Sequence, residues 1–397
     1  MKSIWFKKII SCLTLLVFIN TGIGTSYAQD LTGVLDLPPA GMMVQVSRSF
    51  VPPILKGIEI DPRHPFRIDF ILDTGNSELG DEVLKDVTHR LVRYFLASLT
   101  IPEKELWVNL SPYEEDRIIS DEFSMTEMGR DLLAEDYMLK QITASLIYPE
   151  NETGKVFWQK VYAAASERYG TADIPVDTFN KVWIVPEKAV VYEKGTKVFI
   201  TKATMKVMLE TDYLAEIKNQ PAAASVAGEA KVDAELGKKV IREVVIPILE
   251  KEVNEGANFA QLRQVYYSLI LAKWYKETLK ESVITRKYAD QRKISGVDLA
   301  VEGDKQAIYA QYLEAFKKGA FNYIKEEYDV NTRELLPRKY FSGGCNLEMP
   351  PLEKDNAQAL QQPGVVTGAL KKVTGFLKGA APRSTAGMGM AELRRSA

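Results

Sequence analysis

The chain has 397 residues, of which 46% are hydrophobic and 26% charged; its formal charge is -2 and it holds only two histidines. That length suggests two or three domains with sizeable cores, and the weakly acidic balance argues against a nucleic-acid binder. With His64 and His89 alone, no His-based zinc site can be assembled.

Residues 1–28 have the three parts of an export signal in order. Lys2, Lys7 and Lys8 make a positive start, Ile9 to Ile19 an apolar stretch, and Ser26-Tyr27-Ala28 supplies the small residues a signal peptidase reads. The apolar stretch is short for a membrane span. Cleavage after Ala28 is expected, leaving 369 residues at a formal charge of -5, since three lysines leave with the leader. The product would be a soluble periplasmic or secreted protein with no later transmembrane segment. Cys345 is then the one remaining cysteine, so no disulfide can form within a chain and stability rests on packing. An intermolecular bridge would have to use that residue.

Residues 29–65 carry Pro38, Pro39, Pro52, Pro53, Pro62 and Pro65, which exclude long regular elements. Val44-Gln45-Val46 suits a short strand. A strand at 66–72 leads into the turn Asp73-Thr74-Gly75-Asn76. Leu84, Val87, Leu91, Phe95 and Leu99 then predict a helix over 79–99, and Trp107-Val108-Asn109-Leu110 a strand. A helix over 124–147 follows, with Ser124-x-x-Glu127 in the form of a capping box. Another over 153–168 is closed by Gly170.

Between 180 and 210 the period changes. Lys181–Val185, Ala189–Tyr192 and Val198–Ile200 read as short hairpin strands. Residues 216–232 have almost nothing bulky to bury and read as a linker or loop. Helices are predicted over 233–253, with Pro247 in an awkward place, over 258–282 and over 304–327. From 346 the chain reads as a largely disordered tail, basic from 371 onward. The expected fold is α+β and helix-rich, with a small mixed or antiparallel sheet and a C-terminal group of long helices. The expected divisions are an α+β domain at 29–215, the linker, a helical region at 233–345 and the tail.

The run Phe70-Ile71-Leu72-Asp73-Thr74-Gly75 resembles the active-site loop of an aspartic protease, where two carboxylates share one proton. The mature chain has no second such loop, and a helix follows this one. A strand-ending turn accounts for the same residues. On the helix at 124–147, Glu127, Asp131 and Glu135 share a face, while Asp136 falls beside the apolar side with Lys140 one turn on. Asp73, Glu127, Asp131 and Asp136 are therefore the candidates for paired-carboxylate chemistry, weighed against helix faces and internal ion pairs. The aromatic residues Tyr266, Tyr267, Trp274 and Tyr275, and Tyr309, Tyr312 and Phe316, suit either a groove or an interhelical core. No phosphate-binding loop or cofactor motif occurs. Arg338-Lys339-Tyr340-Phe341-Ser342-Gly343-Gly344 is a basic, glycine-rich exit from the helical region.

The stretches PILKGI at 53–58, DFILDTG at 69–75, NLSPYE at 109–114, MGRDLLAEDYMLKQITASLIYPE at 128–150 and PRKYFSGG at 337–344 carry a resemblance. The chain resembles a group of exported bacterial proteins to which no activity is assigned, over most of its mature length. The resemblance implies export and a shared fold, and it brings no catalytic role. The expectation is a non-catalytic binding or scaffold protein of the cell envelope, with an envelope protein or a glycan as partner. The alternative is an exported glycan or peptide hydrolase using paired carboxylates.

Overall fold

The computed structural model describes residues 37–61, 63–77, 79–112, 114–170, 181–216, 238–279, 304–318, 326–329, 334–337, 343–355 and 370–376. The expected leader, and the expected linker apart from Glu216, lie outside them. β1 (Ile54–Asp61) and β2 (His64–Asp73) open the fold as an antiparallel hairpin. α1 (Asp81–Thr100), the two-residue β3 (Trp107–Val108) and the single turn α2 (Asp121–Ser124) follow. Next come α3 (Glu127–Ile147) and α4 (Glu152–Tyr169). β4 (Val182–Lys194) and β5 (Lys197–Leu209) make a second hairpin, closed by α5 (Glu210–Glu216). The second half supplies α6 (Ile246–Glu255), α7 (Ala260–Leu279) and α8 (Asp304–Lys317). β6 (Glu326–Asp329) and β7 (Glu334–Pro337) pair with each other in a separate two-stranded sheet, and β8 (Gly343–Asn346), β9 (Glu353–Lys354) and β10 (Leu370–Phe376) end the described chain.

The fold is α+β, with a curled, half-barrel sheet. Strand order is β10-β2-β1-β5-β4-β8-β3, with β9 also on β4. β8 and β9 run parallel to β4, while the other pairs are antiparallel. The sheet is thus mixed. α7 packs on β1 and β5 and against α1, α3 and α6, so the core lies between the sheet and a layer of helices. Phe70 of β2, Phe95 of α1 and Tyr275 of α7 meet edge to face at 5.2 and 5.9 Å along that seam. The described residues from Pro39 onward form one compact unit. The regions expected at 29–215 and 233–345 therefore share one sheet and one core.

Several local expectations change in physical terms. Val44-Gln45-Val46 forms no strand; the segment is held through side chains instead, with Ser47 N–H and Ser47 Oγ donating to buried Glu252 at 2.9 and 2.5 Å. Ser124 does not cap α3. It ends α2 and donates to Asp121 O, and Thr126 is the cap, accepting from Gly129 N–H. The short strands expected at 181–185 and 189–192 fuse into a 13-residue β4, because Pro186 sits beside a register shift at Pro186/Lys188, and the one expected at 198–200 lies within β5. A bulge tolerates the missing N–H that a regular central strand would not. Pro247 is handled alike: the turn before it, 241–245, widens to a π-helical turn, and Pro247 falls at the start of α6. The helix expected over 304–327 ends at Lys317, and 326–329 is strand. In the expected tail, Asn346 ends β8, Leu347 and Met349 are buried, β9 and β10 join the sheet, and residues 356–369 and 377–397 lie outside the described residues.

Candidate functional site

α3 is the most buried helix of the fold, and its polar residues are buried with it. Burying a carboxylate is costly unless it is paired or protonated. Each acid of this helix meets the requirement through a different neighbour. Glu127 takes Arg93 of α1, with a second contact at 3.1 Å, and Arg130 lies 3.7 Å away. Asp131 accepts from Tyr94 Oη at 2.5 Å and from Arg130 Nε at 3.3 Å, while Arg130 also reaches Asp304 of α8 at 3.6 Å. Glu127 and Asp131 are thus joined through a guanidinium.

Glu135 faces the first turn of α7, whose Leu262 N–H donates to its Oε1 at 3.2 Å. The first N–H groups of a helix lack partners within it, so a carboxyl of α3 caps a buried helix start. Its Oε2 is buried without a partner. Burial pushes the Glu135 carboxyl up to about 8, with nearby Arg263 opposing. Asp136 is fully enclosed. It pairs with Lys140 one turn on and accepts Leu110 N–H at 2.7 Å. Burial raises it to about 6 against the pull of Lys140, and burial lowers Lys140 against that of Asp136.

Lys140 also donates to Gly343 O at 2.8 Å and stands over the Tyr312 ring at 5.9 Å. That contact explains part of the glycine-rich exit. Gly343 adopts φ +127, where side chains are rarely accommodated, and a Cβ on Gly344 would fall 1.9 Å from Val108 O. The two glycines let β8 enter between β4 and β3 and bring a carbonyl to the buried ammonium. Cys345, fully buried beside them, has its thiol pushed up by burial. It is no surface thiol for a bridge between chains.

Asp73 lies apart from this helix, at the end of β2. Its Oδ1 accepts Gly75 N–H at 3.0 Å. Gly75 has φ +60, and a Cβ there would meet Val51 O at 2.1 Å. Asn76 Oδ1 accepts Val51 N–H at 2.9 Å. The Asp-Thr-Gly-Asn run is therefore a turn that clamps the strand entry at Val51. Near it, Lys56 is buried and lies 5.5 Å from the Tyr267 ring centre. Burial lowers the Lys56 ammonium and the charge of Asp73 opposes this, while burial and Asp73 push the Tyr267 hydroxyl up to about 12. His89 is exposed on α1.

The sequence candidates thus fall into two places: Glu127, Asp131 and Asp136 along α3, and Asp73 in its turn. Tyr94, Arg93 and Leu262, which engage the α3 acids, were not legible as site residues. Tyr94 carried a usable signal: it shares the buried stripe of α1 with Leu84, Leu91 and Phe95, and a buried phenol needs a polar partner. Among the described residues no helix is long and apolar enough to cross a membrane. Comparison with protein-family models, with curated proteins and with solved structures finds no match.

Proposed function

We propose that the chain is an exported, non-catalytic binding or scaffold protein of the cell envelope. The observation that carries this reading is the employment of the candidate carboxylates. Glu127 and Asp131 are bound by Arg93, Tyr94 and Arg130, Asp136 by Lys140 and Leu110, and Asp73 by its own turn. A paired-carboxylate hydrolase needs two acids about 5–9 Å apart facing substrate. Here the acids tie α3 to α1, to the exit of β3 and, through Lys140, to β8. Export is supported by the pattern of residues 1–28 and by the resemblance to exported bacterial proteins.

Two measurements test the reading. When the full chain is made in a bacterium, N-terminal sequencing should find Gln29 first in the periplasmic or secreted fraction; a chain confined to the cytoplasm with its leader intact would remove export. Asp131→Asn and Asp136→Asn should each lower the unfolding midpoint. A variant that keeps its midpoint while losing hydrolysis of a cell-wall glycan or peptide would restore the enzyme alternative.

A further inference from the structure

The helix layer covers one face of the sheet, and the other face carries a second, small cluster at the β3–β8–β4 end. Opposed residues in neighbouring strands share a face. Val108, Cys345 and Ile184 are opposed and buried on the core side. Their neighbours Trp107, Asn346 and Trp183 therefore point outward. Trp107 and Trp183 are each only partly buried. α5 lays Tyr213 flat on Trp183, with ring centres 4.8 Å apart and 14° between planes, and Asn346 Nδ2 donates to Tyr213 Oη at 2.6 Å. At one end stands a charged group: Lys181 meets Glu114 at 2.6 Å and Glu210 at 3.6 Å, and Asn109 Nδ2 donates to Glu114 at 2.7 Å.

Three polar atoms of this patch are shielded from water yet have no hydrogen-bond partner: Trp183 Nε1, Thr211 Oγ1 and Asn109 Oδ1. Asn109 is itself only 4% exposed. Such atoms are uncommon in native proteins and call for an explanation. Together they are a donor, an acceptor and a hydroxyl that is both. Trp183 and Thr211 are each partly exposed, and a side-chain rotation would present these atoms to a ligand.

We infer that this outer patch is a subsite for an uncharged saccharide, an inference that rests on the binding reading above. A sugar ring offers a C–H face to an indole and hydroxyl groups that donate and accept at once, which suits this mixture of unused atoms. Lys181 is already neutralised by two carboxylates, so among its described residues the patch offers no spare cation to a phosphate or uronate. The tryptophans supply amphipathic surface at low entropic cost.

The test is calorimetric titration of the full chain with neutral oligosaccharides, chitotetraose, cellotetraose and maltotetraose, against polygalacturonate as the acidic control. At least one neutral probe should bind, and the acidic one should not bind more tightly. Trp107→Ala should weaken binding about tenfold or more, and Trp183→Phe, which keeps a ring but removes the N–H, by about tenfold, the equivalent of one hydrogen bond. Thr211→Val serves as a third variant should either tryptophan change unfold the chain. Binding that survives all three variants overturns this site while leaving a binding function standing. No binding of any neutral probe at millimolar concentration overturns the saccharide inference and leaves a protein-binding scaffold untouched. Tighter binding of polygalacturonate overturns the argument from charge.

Discussion

Glu135 is the residue at which the chemistry of α3 is most exposed to experiment. Its carboxyl and that of Asp136 hold their protons more tightly in the folded chain, at about 8 and about 6, than the ordinary 4.5 and 3.8. Folding therefore takes up protons over that range, and their stabilising contribution is complete below about pH 4. It is lost as pH rises, through about 6 for Asp136 and about 8 for Glu135. Glu135→Gln keeps the oxygen that accepts Leu262 N–H and removes the titration. It should flatten the stability profile between pH 5 and 8 and leave the variant more stable than the wild type above pH 8, by a few kcal/mol. Parallel urea midpoints for the two chains from pH 5 to 9 would show that Glu135 does not titrate there. Lys140→Met removes one half of a buried pair and should cost about 3–5 kcal/mol. Combined with Asp136→Asn it should cost less than the sum of the single changes, as read in a double-mutant cycle by chemical denaturation. Much of this was legible: the acidic stripe and the Asp136–Lys140 pair follow from helical spacing. Their roles were not, because Leu262 and Gly343 lie 127 and 203 residues away along the chain.

At the scale of elements, three long helices were read well from their apolar positions. α1, α4 and α7 begin and end close to their expected positions, and Gly170 closes α4 in the left-handed region as its place suggests. Elements whose irregularity depends on distant neighbours were not legible. Pro186 reads locally as a break, yet the hydrogen bonds of β5 carry the strand past it, and β8 has too few residues to show a period at all. The glycines of β8 give the sharpest test. Gly344→Ala places a methyl against the backbone of β3 and cannot be relieved by a rotamer. It should cost about 3 kcal/mol or more, the mark of a packing clash in the core. Gly195→Ala in the β4–β5 turn has φ +62 but open space around it, so it should cost only about 1–2 kcal/mol from the left-handed backbone. Equal losses in thermal unfolding would mean that β8 can move away from β3.

At the scale of the whole molecule, the order β10-β2-β1-β5-β4-β8-β3 means that late residues complete a sheet begun early. That is why the regions at 29–215 and 233–345, distinct in composition, do not separate in space. Two truncations divide the labour of the C-terminal strands. A chain ending at Ser342 lacks β8, β9 and β10, which leaves β3 without its partner strand, opens one edge of β4 while β5 still pairs the other, and deprives Lys140 of Gly343 O. It also loses Leu347, which is fully buried and donates its N–H to Leu106 O at 2.8 Å, and Met349, whose carbonyl takes Lys273. Burying these apolar side chains and satisfying a buried ammonium is worth roughly 5–10 kcal/mol, comparable to the 5–15 kcal/mol by which most domains are stable. This chain should show helical circular dichroism without a cooperative melt. A chain ending at Asp355 keeps β8 and β9 and, among the described strands, loses only β10, whose ladder lies on β2 at the sheet edge. An open edge chiefly invites pairing with other chains. It should melt cooperatively within a few degrees of the full chain and self-associate more strongly on a sizing column. If the chain ending at Ser342 melts as sharply as the one ending at Asp355, then β8 is an accessory to a core that the first 342 residues already complete.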